Sequence, residues 1–404
     1  MKLAILTSLL FAGMLAAEDW PQFLGPRRDG TYTGKPLPHW PADGPKVLWK
    51  HDIGAGFAGP AVDDGKLFLH HRLKDKEVLD CRDANTGKII WRSSSPAGYE
   101  DQFGFDDGPR AVPTVSGARV FTLGANGLIK STDVRTGAVL WRLDAKKQFR
   151  AGQGFFGFAC SPMVNGPNLI INIGGPKAGI IALDIDTGKL RWTATRQEAS
   201  CASPILAVIN DKPRAIFFTS DGVVATDPLK GTVQFTHPWR PVINASVNAC
   251  TPVAVGNLIF VSTSYGKGAT VLAVNGNKFE TLWSSDQSLS CHYSSVVHHD
   301  GHLFGFHGRQ ERGCELRCVE LKTGKVKWRF RGLRAGSVTL AGKELLVLTE
   351  RGELVRGPAT PAAFRPSARV QLMGATVRAY PALANGKLYV RNGRQLLCAQ
   401  VGGD

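Results

Sequence analysis

The feature that most constrains this chain is a ten-residue phrase, DANTGKIIWR, at Asp83–Arg92. Near-copies follow: DVRTGAVLWR from Asp133, DIDTGKLRWT from Asp184 and ELKTGKVKWR from Glu320. A second phrase alternates with it, small-Pro-x-Val-x-x-Gly-x-Leu-x-Val. It begins near Gly59, Val112, Ser161, Ser203, Thr251, Ser294, Ser337 and Tyr380, at intervals of roughly 42 to 53 residues. Self-similarity at this period marks a repeated supersecondary unit, which cannot bury its own apolar faces and must stack on its neighbours.

Each unit reads as about four antiparallel strands. The opener alternates apolar and small residues up to a Gly-containing hairpin turn, and a third short strand such as Ile180–Asp184 follows. Then comes Asp-x-x-Thr-Gly. Its carboxylate is suited to accept backbone N–H groups across the turn, and its Gly to supply the positive φ of a bulged turn. The strand after it ends in an aromatic residue: Trp91, Trp141, Trp192, Phe235, Trp283 or Trp328. The fourth and fifth units are worn, with Phe235 in place of Trp and the turn Gly lost before Trp283, and the seventh has no clear closer.

A four-stranded sheet with two apolar faces is stabilised by face-to-face stacking, and radial closure limits the exposed edges. The aromatic closer is the natural wedge between neighbours, since a buried indole removes on the order of 200 Å² from water. Eight openers predict an all-β, eight-bladed propeller. Trp49 stands before the first opener, so its strand is expected to join the last unit and close the ring. The alternation resembles the PQQ-like β-propeller repeat over nearly all of the chain after the leader. DWPQFLGPRRDG, Asp19–Gly30, resembles the segment that precedes the propeller in secreted bacterial members.

The N-terminus has Lys2, an apolar run from Leu3 to Leu15, then Ala16 and Ala17. This is the layout of a secretory signal peptide, too short to span a bilayer comfortably. The expected organisation is a signal peptide over 1–17, an extension over 18–45 that packs on the propeller, and the propeller over 46–404. The chain is expected to be exported, periplasmic or secreted, monomeric and without a transmembrane segment. A formal charge of +16 permits anionic partners, but the basic residues are scattered and form no nucleic-acid arm.

Eight cysteines in an exported chain invite a disulfide framework. Cys81, Cys318 and Cys398, however, fall in a repeat slot that elsewhere holds Ser131, Ala182, Ala225 and Ala273, which makes them compact core fillers. Cys160, Cys201, Cys250 and Cys291 precede openers at slightly different offsets, and their redox state stays open. No C-x-x-C pair supports zinc. The tract HHDGHLFGFHG places His298 and His299 at a hairpin turn, not in a metal site.

The slot three before the opener Pro reads Phe57, Arg110, Ala159, Cys201, Ala249, His292, Ala335 and Arg378. Innermost strands begin near the axis, so Arg110, His292, Arg378 and the adjacent Arg334 are expected to ring the channel mouth, where cations suit an anionic ligand or bond neighbouring loops. The segment YEDQFGFDDGPR, Tyr99–Arg110, is expected to be a long loop on that face. Asp101, Asp106 and Asp107 are its candidate ligand or calcium contacts.

The resemblance implies one of two activities. Assembly-factor members imply a non-catalytic scaffold that binds envelope proteins or small ligands. Quinoprotein dehydrogenases imply PQQ and calcium over the channel, with a catalytic Asp and a vicinal Cys pair. This chain has no adjacent cysteines and its mouth slots are basic or small, so no cofactor and no catalytic residue are expected. A polyanion or polysaccharide binder is the third reading, suggested by net charge.

Overall fold

A computed structural model describes residues 18–403 apart from 42, 242, 244–246 and 277; the leader expected over 1–17 lies outside the described residues. The described strands form eight antiparallel sheets arranged as the blades of a propeller. Blade 1 is Ala61–Asp63, Lys66–Leu73, Lys76–Asp83 and Ile89–Pro96, from the channel outward, and blades 2 to 6 repeat this order. Blade 8 takes Ala382–Ala384, Lys387–Arg391 and Gln395–Gln400 from the C-terminus and Val47–Asp52 as its outermost strand. Trp49 lies opposite Cys398 in that pairing, so the two ends of the chain share one sheet and the ring closes as the repeat count required.

The turn phrase builds the same corner in successive blades. Asp83 Oδ1 accepts from the N–H groups of Asn85 (3.0 Å) and Thr86 (2.8 Å) and from the Thr86 hydroxyl (2.9 Å). Gly87, at φ +68°, donates its N–H to Asp83 O at 2.8 Å. Asp133 and Asp184 repeat the arrangement with Thr136 and Thr187. These bonds hold the three carboxylates below their usual range, chiefly through the threonines. A bulge follows, and the aromatic closer then faces a small residue: Cys81 opposite Trp91, Ser131 opposite Trp141, Ala182 opposite Trp192, Cys318 opposite Trp328. In blade 5 the residue opposite Trp283 is Val271, not Ala273 as the repeat register had it. The lost turn Gly changes the count of residues between the paired positions there.

Each indole reaches the turn of the next blade. Trp91 donates Nε1–H to Val134 O (2.9 Å), Trp141 to Ile185 O (3.0 Å), Trp283 to Leu321 O (2.8 Å) and Trp49 to Ala84 O (3.1 Å). Beneath each ring lies the turn glycine of that next blade. A Cβ on Gly137 would sit 2.7 Å from the Trp91 ring, and one on Gly188 would sit 2.7 Å from Trp141. The Gly therefore does two things: it takes the positive φ, and it lets the preceding blade's indole lie against the backbone. Worn blades compensate with other aromatics. Phe235 meets Phe279 edge-on at 4.5 Å, and Trp328 stacks on Phe364 at 5.8 Å while donating to Thr360 O.

Trp192 is the exception. Its buried Nε1 has no acceptor among the described residues; the carbonyl in the equivalent position, Pro228 O, accepts instead from Asn168 Nδ2 at 2.9 Å.

Residues 18–32 cross one end of the channel. Trp20 and Val62 exchange backbone bonds, and Val115 N–H donates to Pro21 O. The buried Arg28 guanidinium donates to Pro204 O (2.7 Å), Pro162 O (2.9 Å) and Ser161 O (3.0 Å), tying blades 3 and 4 together. Thr31–Tyr32 then pairs in parallel with Gly336–Ala341, giving blade 7 a fifth strand.

Trp91→Ala should destabilise the chain by about 3–5 kcal/mol, as other large aromatic truncations do. Trp141→Phe should cost about 1 kcal/mol more than Trp192→Phe, since only the former loses a hydrogen bond. Urea denaturation of the three variants measures both; an unchanged midpoint for Trp91→Ala contradicts the wedge.

Candidate functional site

Along the channel, bordered by the N-terminal crossing, lies a cavity of about 350 Å³, referred to below as the funnel. Its wall includes Phe57, Arg110, Ala159, Cys201, Ala249, His292 and Arg378, so seven of the eight slot residues converge as the repeat register indicated. The eighth, Ala335, is buried, and its neighbour Arg334 is exposed at φ +56°; neither lines the cavity. Phe23 of the N-terminal crossing forms part of the wall and packs edge-on against Tyr380 at 5.0 Å.

The cations at the mouth are engaged. Arg110 donates to Asp101 Oδ2 (3.2 Å) and Asp106 O (3.1 Å), and its guanidinium lies 5.3–5.7 Å from the ring centres of Tyr99, Phe57 and Phe156. Arg378 pairs with Glu350 at 2.7 Å and lies 5.1 Å from the Phe105 ring centre. His292 contacts the Tyr265 hydroxyl (2.8 Å) and Gln310, and burial lowers its pKa, which keeps it neutral. Burial likewise pushes the Cys201 thiol up to about 11, so it carries no thiolate at neutral pH.

The three loop carboxylates hold the loop together. Asp101 is buried and accepts from the N–H groups of Phe103, Phe105 and Asp106, each at 3.0 Å. Asp106 accepts from Gly56 (3.0 Å) and Gly108 (2.7 Å), and Asp107 from Asp101 N–H (2.7 Å). The turn folded by these bonds turns aromatic side chains outward: Phe103 is 50% exposed and Phe105 47%. A second loop brings Phe155, 43% exposed, and Phe156 to within 5.5–6.2 Å of them, ring centre to ring centre. The exposed face of the mouth is thus an aromatic wall, standing beside the loop carboxylates that the sequence singled out as candidate contacts. The signal was present as FGF and GFF in the two longest connections between blades, Pro96 to Thr114 and Asp144 to Met163.

The long loop stands on a buried ionic cluster in blade 1. Arg72 donates to Tyr99 O (2.5 Å) and Asp107 O (3.2 Å). Deeper, Asp80 accepts from Arg82 (2.7 Å), Arg92 (2.6 Å) and His71 (3.1 Å). His71 Nδ1 accepts from Gly54 N–H at 2.9 Å, so the His71 proton sits on Nε2. Beside it His70 is buried with neither ring nitrogen hydrogen-bonded, 3.6 Å from Glu77, and faces Lys130, His71 and Arg391. Burial, and then the positive charge of Lys130 and Arg391, holds its pKa well below the ordinary value.

All eight cysteines are free thiols. Cys250 and Cys291 are in contact, and that contact together with burial raises the Cys250 thiol far above its ordinary range.

The family model described as outer membrane protein assembly factor BamB matches residues 39–152 and 74–330. The chain belongs to this PQQ-like propeller family. BamB of Burkholderia pseudomallei is 28% identical over 215 residues, covering 53% of this chain and 48% of that protein. Tetrathionate hydrolase of Acidithiobacillus ferrooxidans is 23% identical over 235 residues, covering 54% and 44%. The chain therefore spans less than half the length of these curated relatives. Among solved structures, BamB of Moraxella catarrhalis superposes with a TM-score of 0.62 at 16% identity, covering 88% of this chain and 97% of that one. Quinohemoprotein alcohol dehydrogenase of Comamonas testosteroni gives 0.50 at 16% identity, covering 96% and 81%. Such identities speak to the fold alone.

Two outcomes follow for the funnel and for the buried cluster of blade 1. Arg110→Ala leaves the buried Asp101 with one partner fewer and should cost about 1–3 kcal/mol without any ligand; an unchanged melting temperature would mean the arginine is free for binding. His70 titrates at a lower pH when folded than when unfolded, near 6.5. The unfolded chain thus binds the extra proton first, and stability present above pH 6.5 is lost as the pH falls from there toward the folded pKa. Tm should drop between pH 6.5 and 5, and less steeply in His70→Gln; parallel curves for the two proteins would refute the assignment.

Proposed function

We propose that this chain is an exported, non-catalytic propeller that works as a monomeric protein-binding scaffold in the bacterial envelope. Its binding site is the aromatic funnel. The observation that carries this reading is the division of labour at the mouth. The titratable groups there are spent on internal bonds, while Phe103, Phe105 and Phe155 face solvent. A wall of exposed rings around a concavity buries apolar side chains of a partner and gives rigid anchors at low entropic cost. It offers no general base poised for proton transfer. The relatives named as outer membrane protein assembly factors support a role among envelope proteins. No helix among the described residues is long and apolar enough to cross a membrane.

The donor set argues against a calcium–quinone centre over the channel. Asp101, Asp106 and Asp107 are turned to backbone N–H groups, Glu350 to Arg378 and Glu311 to Arg309. Calcium asks for six to eight oxygen ligands in one place, and among the described residues no three His, Cys, Asp or Glu side chains are grouped to hold a metal.

The test is affinity capture from envelope extract with the chain and with a Phe103→Ser/Phe155→Ser variant. The expected result is a defined envelope protein retained by the first and lost by the second, at unchanged Tm. Equal retention by both, or dye-linked alcohol oxidation after addition of PQQ and calcium, would overturn the reading.

A further inference from the structure

A second concavity, of about 760 Å³, adjoins the funnel on the side of blades 5 and 6 and shares Tyr265 and Arg309 with it. We propose that this cleft binds an oligoanion, a molecule carrying two or more phosphate or sulfate groups. The inference is independent of the partner assigned to the aromatic funnel.

Charge is unbalanced here, unlike at the funnel mouth. Arg309, Arg312, Arg317, Arg329 and Arg331 line the cleft, against Asp286 and Glu315. Glu315 alone faces three of them: Arg317 Nε at 2.7 Å, Arg331 at 3.2 Å and Arg329 at 3.8 Å. One carboxylate neutralises one guanidinium, so positive charge is left over at this point. Arg309 is matched by Glu311 at 3.2 Å, and Asp286 accepts from the Ser290 hydroxyl at 2.9 Å. Arg312 is exposed on the loop after Arg309, and among the described residues no carboxylate lies within ion-pair distance of it.

The wall beneath these arginines is built, not merely charged. Arg317 is only 4% exposed and is fixed by Ser288 O (2.6 Å) and Gln287 O (2.5 Å) as well as by Glu315. The hydroxyl of Ser264, a residue 2% exposed on the same wall, is buried with no hydrogen-bond partner. His307 Nδ1 accepts from Ser290 N–H at 3.0 Å, so the ring's proton is on Nε2, a donor at the cleft wall. Burial first, and then Arg317, pushes the His307 pKa to about 4, which keeps it a neutral donor while the field around it stays positive.

Guanidinium forks match tetrahedral oxyanions in bidentate geometry. Arginines spread along a cleft of this volume suit several such groups on one molecule better than a single small ion. The cations of the funnel mouth lack this surplus because Asp101, Glu350 and the loop carbonyls absorb it.

The test is calorimetric titration of the chain with two probes, inorganic tripolyphosphate and a multiply sulfated heparin disaccharide, at low salt and at about 0.15 M salt. Three proteins are compared: the unaltered chain, Arg312→Ala/Arg329→Ala in the cleft, and Arg135→Ala, an exposed arginine in the outer turn of blade 2. Saturable one-to-one binding of at least one probe is expected, and which probe binds tells phosphate from sulfate. The cleft variant should weaken it by about tenfold or more, and Arg135→Ala should leave it within about twofold. Absence of saturable binding with both probes would overturn the proposal. So would equal weakening in Arg135→Ala, which would mean attraction to the general surface charge. The single variant Arg312→Gln, at an exposed position, serves if the double variant has a lowered Tm.

Discussion

The structure depends on a contact between an indole and a glycine. At five of the joints an indole of one blade lies on the turn of the next, where Gly87, Gly137, Gly188, Gly231 or Gly324 leaves room for the ring. Four of these turns are folded by an acidic residue that accepts from a threonine three positions on, and in the Gly231 turn Asp227 accepts from the backbone N–H groups of Leu229 and Lys230. A single repeated phrase thus makes both halves of the joint: the turn that receives one neighbour's ring and the ring that enters the other's turn. Because the blades form a closed circle, every joint also constrains the positions of all the inner strands. The funnel is what that constraint produces along the axis.

The funnel and the cleft beside it show how the same residue type acquires different roles from its neighbours. Arg110 and Arg378 are balanced by Asp101 and Glu350 and lie over aromatic rings, so they stiffen the wall. Arg329 shares Glu315 with Arg317 and Arg331, and Arg312 has no carboxylate within ion-pair distance among the described residues, so guanidinium charge is left over there. Net charge alone does not separate these cases; the local ratio of guanidinium to carboxylate does.

The ring was legible in the sequence because it is made of local turns. Asp83, Gly87 and Trp91 lie within nine positions, and their spacing recurs, so both the blade count and the role of the Trp49 strand could be read off. The opener register also placed Arg110, Cys201, His292 and Arg378 around one cavity. What the register could not show was pairing across blades. That Gly137 receives Trp91, or that Pro228 O pairs with Asn168 while Trp192 Nε1 finds no acceptor among the described residues, follows from neighbours more than 30 residues away. The aromatic wall escaped for another reason. Phe103 and Phe155 lie in irregular connections, where no periodicity marks which side chains the loop turns inward. Asp101 attracted notice as a carboxylate, yet its work is to fold the turn that turns those rings outward.

The most direct measurement of the indole–glycine joint is a double-mutant cycle between Trp91 and Gly137. In the intact chain, Gly137→Ala puts a methyl group 2.7 Å from the indole and at φ +76°. With Trp91 already replaced by Ala, only the backbone strain remains. The cost of Gly137→Ala should therefore be smaller by about 1 kcal/mol or more in the Trp91→Ala background, well beyond the additivity of independent sites. Strictly additive destabilisation would contradict the claim that the ring of one blade rests on the turn of the next.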